Sequence, residues 1–246
     1  MTNDTPLYNT VAPLRNVAAL VELVERVQGR ALNLPGMATF YGPSGFGKSF
    51  SAIFATNKFE AITVQVKSTW TRKKLCQSIL TEMGLPHATT VSDMIDDISQ
   101  FLAMQDRPLI IDEADFLVQR KMIEIVRDIH EQSGAPVILI GEELLPQKLK
   151  TWERVHGRML DWVAAEPADI SDINHLVRLY APGITIAPEI LQTILKASHG
   201  SLRRICVNLD QLRELAMIEG LAQIGKTDWG KRQFFTGEAP APWRAV

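Results

Sequence analysis

The sequence has few cysteines and no strong excess of charge of either sign. Its 246 residues contain two cysteines, Cys76 and Cys206, which lie far apart and form no C-x-x-C pair. Both fall in apolar helical patterns, so we expect buried free thiols in a reducing compartment. Lys and Arg number 26 against 28 Asp and Glu, a net charge of −2. This balance excludes a global positive field, so any nucleic-acid contact must come from a local patch.

Long apolar runs are also missing. No run approaches the roughly 18 residues that a membrane-spanning helix needs, so no membrane contact is predicted. The N-terminus has no basic flank followed by an apolar block, so no signal peptide is predicted and a cytoplasmic location is expected. Apolar residues still make up 46% of the chain. This is enough for a sizeable core, and the length suits one α/β domain with a small appendage.

The most informative stretch is residues 42–49, Gly-Pro-Ser-Gly-Phe-Gly-Lys-Ser. It matches G-x-x-x-x-G-K-[ST], the phosphate-binding P-loop, between a predicted strand and a predicted helix. Its glycines allow backbone conformations that let several N–H groups converge on one anion. Lys48 is long enough to reach the β- and γ-phosphates, and Ser49 offers a hydroxyl to Mg²⁺. We therefore expect a nucleoside triphosphate to be bound by Gly42, Pro43, Ser44, Gly45, Phe46, Gly47, Lys48, Ser49 and Phe50. The alternative is a glycine-rich turn without a ligand.

A second acidic motif follows downstream. The apolar residues 109–111 run into Asp112 and Glu113, as in a Walker B segment. We expect Asp112 to hold Mg²⁺ and Glu113 to polarise the attacking water. Asp115 is expected to cap the next helix rather than to bind metal. The sequence Asp-Glu-Ala-Asp also occurs in DEAD-box helicases, but those need a second sheet domain for which this chain has no pattern.

Strands and helices alternate up to residue 166. This alternation predicts a parallel five-stranded sheet covered by helices on both faces. After Pro167 three consecutive helices, without strands between them, predict a small helical lid. Strands are expected at 37–41, 61–66, 108–111, 135–140 and 160–164, and helices at 14–27, 75–83, 91–103, 116–132, 144–155, 169–180, 187–199 and 201–224. The expected segments are 1–36 (N-terminal segment and helix), 37–166 (nucleotide-binding subdomain), 167–225 (lid) and 226–246 (tail).

In this order the motifs resemble those of the AAA+ P-loop ATPases, over about residues 12–224. The resemblance implies ATP as the nucleotide and hydrolysis as the reaction. It also implies that Arg158, just before the fifth strand, is an arginine finger reaching the γ-phosphate in a neighbouring subunit, with Arg154 as second candidate. Arg203 matches the sensor arginine of the lid best, and Arg204 is one residue off. The alternative at both places is a solvated surface cation.

One stretch departs from that family. AAA+ proteins usually carry a small polar side chain after the fourth strand, where it holds the catalytic water. This chain has Gly141, Glu142 and Glu143 there. An anion close to the γ-phosphate is electrostatically unfavourable. Either Glu142 substitutes for that side chain or hydrolysis is impaired, so we expect slow hydrolysis. The resemblance implies that DNA or a partner stimulates it.

Within the AAA+ ATPases the chain resembles the phage Mu B-type DNA transposition proteins. The shared features are compactness, a short helix close before the P-loop, the loop from Tyr41 to Ser49, and a small C-terminal lid. The resemblance implies an ATP-dependent homo-oligomer or helical filament on double-stranded DNA of any sequence. It further implies delivery of target DNA to a transposase, in the bacterial host cytoplasm if the protein is phage-encoded.

A cationic cluster offers a DNA surface. Cations and hydroxyls suit contacts to phosphates, which give affinity without reading sequence. Each protomer would make few DNA contacts, so assembly of several protomers would supply the avidity for DNA. The cluster comprises Lys67, Trp70, Arg72, Lys73 and Lys74, and a smaller second patch comprises Gln119, Arg120 and Lys121. The alternative for the first cluster is a solvated helix start capped by Thr71.

Other interpretations stay open. The aromatic tail, with Trp229, Phe234, Phe235 and Trp243, could dock on a transposase or a neighbouring protomer, or pack on its own lid. The chain could also be a general AAA+ ATPase, either helicase-loader-like or a secretion-type motor acting on protein. A nucleotide-switched scaffold that binds no DNA is the remaining alternative, and Glu142 is its main support.

Overall fold

The computed structural model describes residues 14–239. These residues divide into two compact units. The first, called here the N-terminal unit, spans Asn16–Glu166, and the second, the C-terminal unit, contains Leu14, Arg15 and the residues from Pro167 onward. Trp243 and the first ten residues, which were part of the sequence predictions, lie outside the described range. None of the helices in residues 14–239 combines the length and apolar character needed to cross a membrane.

The N-terminal unit contains the predicted parallel sheet. Its five strands are ordered β2-β3-β4-β1-β5, and every pairing is parallel. Because all strands run the same way, the residues that follow them meet at one edge of the sheet. The bounds are β1 (Met37–Tyr41), β2 (Ile62–Gln65), β3 (Leu109–Asp112), β4 (Val137–Gly141) and β5 (Met159–Ala164).

Helices cover both faces of this sheet. Side chains alternate between faces along a strand, so Ile110 packs with one helical layer while Leu109 and Ile111 pack with the other. The first layer is α1 (Arg15–Gln28) and α2 (Lys48–Phe59), and the second includes α3 (Arg72–Glu82) and α4 (Val91–Gln105). Each fully buried Leu or Ile contributes about 1.5–3 kcal/mol of transfer free energy. The central strands β1, β3 and β4 are buried on both sides, which agrees with the predicted helices on both faces of the sheet.

Two helices predicted as continuous are each broken in two. The prediction over 116–132 was wrong because Lys121 adopts a left-handed backbone, with φ of 53°. The Met122 N–H donates to the Leu117 carbonyl at 2.7 Å, which closes the first helix. The prediction of one helix over 144–155 was also wrong, because the helix is interrupted at Thr151 and Trp152. The observed helices are α5 (Asp115–Gln119), α6 (Ile123–Ser133), α7 (Leu145–Lys150) and α8 (Glu153–His156).

The C-terminal unit is mainly helical, as predicted, but it also holds a small sheet. Two strands of two residues each pair in parallel, and the prediction of no strand here was wrong. Runs this short show no period that a sequence could reveal. The elements are α9 (Ile170–Tyr180), β6 (Thr185–Ile186), α10 (Pro188–Ala197), α11 (Leu202–Glu219), β7 (Gln223–Ile224) and α12 (Lys226–Trp229).

The described part of the aromatic tail packs on its own unit. The Trp229 and Phe234 rings stack with centroids 4.6 Å apart. The buried Asn208 amide accepts from the Phe235 N–H at 2.7 Å and donates to the Phe235 carbonyl at 3.0 Å. Up to residue 239, this arrangement agrees with packing on the lid, the second of the two sequence interpretations.

The two cysteines differ in burial. Cys76 is buried, as predicted, and burial raises the pKa of its thiol to about 11. Cys206 is only half-buried, which corrects the prediction that both are buried. Its thiol is hydrogen-bonded with the Tyr180 hydroxyl, and this contact raises the pKa of Tyr180 to about 12.

Candidate nucleotide site

The predicted phosphate loop joins β1 to α2 at the carboxyl edge of the sheet. Gly45 and Gly47 have φ of 87° and 84°, a left-handed conformation that favours glycine. A Cβ added at Gly42 would lie 3.1 Å from the Ala165 Cβ, so the loop passes close to the segment after β5. The loop ends at the N-terminus of the 12-residue helix α2. Backbone N–H groups and the helix dipole therefore favour an anion at this place.

Lys48 is held inside the loop. Its ammonium donates to the Gly42 carbonyl at 2.6 Å and to the Pro43 carbonyl at 2.9 Å. Burial lowers the pKa of Lys48, while the nearby carboxylates, Asp112 first among them, oppose that shift. The ammonium is thus placed where phosphate oxygens would enter the loop.

Ser49 and Asp112, predicted from separate motifs, lie in contact. The Ser49 hydroxyl donates to Asp112 Oδ2 at 2.7 Å. Gln65, at the end of β2, donates to the same oxygen at 3.5 Å. Hydroxyl and carboxylate oxygens are the ligands that Mg²⁺ prefers, together with substrate phosphates. Within residues 14–239 no group of three or more His, Cys, Asp or Glu could hold a metal alone. The donor set therefore suits a Mg²⁺ that arrives with a phosphate.

Glu113 has an unusual backbone. Its φ of 57° is left-handed, which costs a non-glycine residue about 1–2 kcal/mol, and its N–H donates to Asp112 Oδ1 at 2.9 Å. The side chain is half-buried. Burial raises the pKa of Glu113, and the carboxylates of Asp112 and Glu142 raise it further. A carboxylate with a raised pKa is a better proton acceptor.

Asp115 does not cap a helix, which corrects the sequence prediction. Helix α5 begins at Asp115 itself. Its carboxylate accepts from the Glu142 N–H and from the Lys148 ammonium, both at 2.6 Å. A Cβ added at Gly141 would collide with the same carboxylate, which explains the glycine at the end of β4. Asp115 therefore binds the loop after β3 to the loop after β4.

The charge of Glu142 is partly compensated. Its carboxylate lies 3.7 Å from the Lys148 ammonium, and its side chain is 66% exposed. Sequence reasoning missed Lys148 because its partners lie on other elements. The anion that the sequence placed near the γ-phosphate is thus accompanied by a cation.

Arg158 lies at the amino edge of the sheet, away from the phosphate loop of its own chain. Its carbonyl accepts from the Met37 N–H at 3.0 Å, at the start of β1. Its guanidinium forms an ion pair with Glu131 and is 46% exposed. The second candidate, Arg154, is exposed on α8. Within one chain the structure therefore does not bring Arg158 together with Lys48.

The sensor candidate lies in the C-terminal unit. Arg203 is exposed in the first turn of α11. A Cβ added at Gly237 would collide with the Arg204 guanidinium, so Arg204 lies against the tail. Arg203 is therefore the arginine of this pair with the more accessible side chain.

The predicted DNA cluster divides into exposed cations and a half-buried aromatic. Trp70 is half-buried and packs against the core, and its part in a DNA contact stays a prediction. Thr71 caps α3 by accepting from the Lys74 N–H at 3.3 Å. Among residues 14–239, no carboxylate forms an ion pair with any of the exposed cations Lys67, Arg72, Lys73 and Lys74.

The second cationic patch lies where the predicted long helix breaks. Arg120 and Lys121 are exposed in the turn between α5 and α6. Gln119 ends α5 and is exposed as well. The patch is thus on a turn rather than on a helix face.

Comparison with protein families supports the class of this fold. Residues 32–149 match the model of the AAA domain family AAA_22. The match covers just under half of the chain, and it agrees with the parallel sheet and the phosphate loop of a P-loop AAA+ fold. A search of the curated proteins found no match to the sequence.

Solved structures share the fold at low identity. The Aeropyrum pernix ORC2 protein in its ADP form has a TM-score of 0.68 and 15% identity, over 86% of this chain and 65% of that one. The Aeropyrum pernix ORC1 protein in complex with DNA has 0.62 and 18%, over 87% and 62%. Cdc6p from Pyrobaculum aerophilum has 0.62 and 15%, over 91% and 68%. This chain thus covers less than two thirds of the two Aeropyrum proteins, and the likeness concerns the fold.

Proposed function

We propose that this chain binds ATP with Mg²⁺ and hydrolyses it slowly. The observation that carries the proposal is the 2.7 Å contact between Ser49 and Asp112 beside the phosphate loop. Two motifs distant in sequence supply the oxygen ligands of one Mg²⁺ site there. Lys48, within the loop, provides the positive charge that the β- and γ-phosphates require.

The proposed chemistry follows from the placement of these groups. Mg²⁺, when bound, would neutralise charge on the phosphate oxygens. Glu113 accepts the proton of the attacking water, for which its raised pKa suits it. Arg158, remote from the loop of its own chain, acts on the site of a neighbouring copy. Arg203 is the proposed nucleotide sensor.

We further propose that the ATP-bound protein assembles on double-stranded DNA of any sequence. Four exposed cations support this, Lys67 before α3 and three in its first turn. None of them forms an ion pair with a carboxylate among residues 14–239. A protein of the same fold, the Aeropyrum ORC1 protein, was solved in complex with DNA. Each protomer offers few phosphate contacts, so binding relies on a homo-oligomer or helical filament.

The finer role that we propose is delivery of target DNA to a transposase, in the cytoplasm. It is supported by the resemblance of the sequence to Mu B-type proteins. The fold likeness to the ORC and Cdc6 proteins supports the ATPase class and leaves this role as a proposal. A pull-down of transposase by the DNA-bound protein, with and without ATP, tests this role directly. Transposase that is retained without ATP would contradict it.

One experiment tests nucleotide and DNA binding together. The wild type and Lys48→Ala are titrated with ATP and with duplex DNA at several salt concentrations. We expect Lys48→Ala to lose ATP binding and ATP-dependent DNA binding together. DNA affinity that stays the same in that variant, with and without ATP, would refute the coupling.

The cationic cluster has a matched control. The variant Lys67→Ala/Arg72→Ala/Lys74→Ala is compared with Lys150→Ala/Arg178→Ala/Lys196→Ala, which removes three exposed cations elsewhere. Each lost phosphate contact reduces the slope of log affinity against log salt by about 0.9, so the first variant should lose about 3. Equal slopes in both variants would exclude the cluster from the DNA interface.

A further inference from the structure

Asn16 is a buried polar residue that the sequence did not single out. It lies in the first turn of α1 and is only 4% exposed. Its amide nitrogen donates to the carbonyls of Phe46 and Glu166, both at 2.8 Å. Its amide oxygen accepts from the Glu166 N–H at 2.9 Å. A buried amide satisfied this fully fixes the segments that it joins.

The first of these segments is the phosphate loop. Phe46 stands between two glycines in left-handed conformations, Gly45 and Gly47, where the backbone is least restricted by its own side chains. The peptide bond between Phe46 and Gly47 is planar and trans, so its C=O and N–H point in opposite directions. By holding the Phe46 carbonyl, Asn16 turns the Gly47 N–H to the opposite side. That N–H has no acceptor within residues 14–239 and is thus free for a phosphate.

The second segment is the end of the N-terminal unit. Glu166 is its last residue and Asn16 its first. One residue earlier, the Arg15 N–H donates to Asp172 within the C-terminal unit at 2.9 Å. The Arg15 hydrogen bond thus lies within the C-terminal unit, and the Asn16 hydrogen bonds lie within the N-terminal unit. One side chain, Asn16, joins the phosphate loop to the point where the chain leaves the N-terminal unit.

We propose that Asn16 is a positioning residue for the phosphate loop, and that it couples nucleotide binding to the order of the chain at Glu166. The inference rests on the proposed nucleotide binding. Asn16 touches no phosphate itself. It lowers the conformational cost of binding by holding the loop in the binding conformation beforehand. By linkage, a nucleotide that stabilises the loop also stabilises the segment that shares its anchor.

Two variants separate the functions of the amide, and a third is a control. Asn16→Ala removes all three hydrogen bonds. Asn16→Asp keeps an oxygen for the Glu166 N–H but cannot donate to the Phe46 carbonyl. Asn208→Ala is the matched control, because Asn208 is 0% exposed and its amide also donates to two carbonyls and accepts from an N–H, all in the C-terminal unit.

The first measurement is ADP·Mg²⁺ affinity by calorimetry, alongside thermal unfolding of each protein. Both Asn16→Ala and Asn16→Asp lose the hydrogen bond to the Phe46 carbonyl, so we expect each to bind ADP·Mg²⁺ about tenfold more weakly. Asn208→Ala should lose comparable thermal stability and keep its affinity. If all three variants lost the same amount of ADP·Mg²⁺ affinity, in line with their loss of thermal stability, the inference would be overturned.

The second measurement is amide hydrogen exchange in the peptide that covers residues 160–168. ADP·Mg²⁺ should slow its exchange in the wild type and in Asn208→Ala, and slow it less in Asn16→Asp. A wild type that binds ADP without any change in this peptide would refute the coupling alone. A wild type that binds no nucleotide would instead refute the proposed function, and the inference with it.

Discussion

Lys148 donates a hydrogen bond to the buried carboxylate of Asp115 across 2.6 Å. The Asp115 side chain is 3% exposed and the Lys148 side chain 30%. The pair joins the start of α5 to α7, so it connects the segments that follow β3 and β4. A carboxylate as buried as this one needs a cation and hydrogen bonds to offset its desolvation. The ion pair therefore holds together the edge of the sheet on which the candidate site lies.

Removal of Lys148 should destabilise the fold. Lys148→Met leaves the Asp115 carboxylate buried without its cation, so we expect the free energy of unfolding to fall by about 1–3 kcal/mol, less than for a fully buried pair since Lys148 is partly exposed. The double variant Asp115→Asn/Lys148→Met should recover part of this loss. Urea unfolding measures both.

The control for this prediction is an exposed ion pair. Lys58 and Glu25 form an ion pair with side chains 41% and 52% exposed. Lys58→Met should change the free energy of unfolding by only about 0–1 kcal/mol. If Lys148→Met cost no more than Lys58→Met, the Asp115 pair would not be important for stability.

The same pair predicts a pH dependence at alkaline pH. The hydrogen bond to Asp115 raises the pKa of Lys148 above its ordinary value of 10.5. Because the pKa is higher in the folded state, protonated Lys148 stabilises the fold. This stabilisation is complete below the unfolded-state pKa and is lost as pH rises through the folded-state pKa. The difference in unfolding free energy between wild type and Lys148→Met should therefore be constant from neutral pH to about 10 and shrink above it. A difference that stays constant to pH 12 would contradict this.

Much of the fold, and the motifs of the candidate nucleotide site, could be predicted from short-range sequence patterns. The phosphate loop is continuous in sequence, and strand β3 ends directly in Asp112, so each motif could be recognised alone. Parallel strands then bring their ends to one edge. The contact between Ser49 and Asp112 is a consequence of that topology, and the sequence predicted a shared role for the two residues.

The remaining contacts depend on tertiary structure that no local pattern encodes. Lys148 and Asp115 lie on different helices, and Asn16 is hydrogen-bonded to Phe46 and Glu166, which are 30 and 150 residues away in sequence. The break at Lys121 was missed because lysine is an ordinary helix residue and only the packing of its neighbours favours a left-handed turn there. Each of these residues has a common type in an unremarkable sequence context.

Glu113→Gln should separate nucleotide binding from hydrolysis. Glutamine keeps the size of the side chain but cannot accept the proton of the attacking water, so we expect the hydrolysis rate to fall by about 10²–10⁴. ATP affinity should stay close to that of the wild type. The variant should accumulate ATP-bound oligomers on DNA, which sedimentation would detect.

The matched control for this variant is Glu143→Gln, at an exposed glutamate on the same edge of the sheet. It should leave phosphate release unchanged. Equal rates in the two variants would show that Glu113 is not the proton acceptor. Glu113→Gln protein that remains monomeric with ATP and DNA would contradict the predicted trapping.

Arg158 allows assembly to be tested by measuring ATP hydrolysis. Its own phosphate loop lies at the opposite edge of the sheet, so the arginine should act only on a neighbouring copy. Arg158→Ala and Lys48→Ala should each lose hydrolysis, the first by about 10³-fold, as for other arginine fingers. Mixing the two should restore activity, because an Arg158→Ala subunit with an intact loop would meet a Lys48→Ala subunit with an intact arginine.

Glu131→Gln, which removes only the ion-pair partner of Arg158, should keep its activity. A mixture as inactive as its components, in samples that co-sediment, would show that Arg158 does not act between subunits.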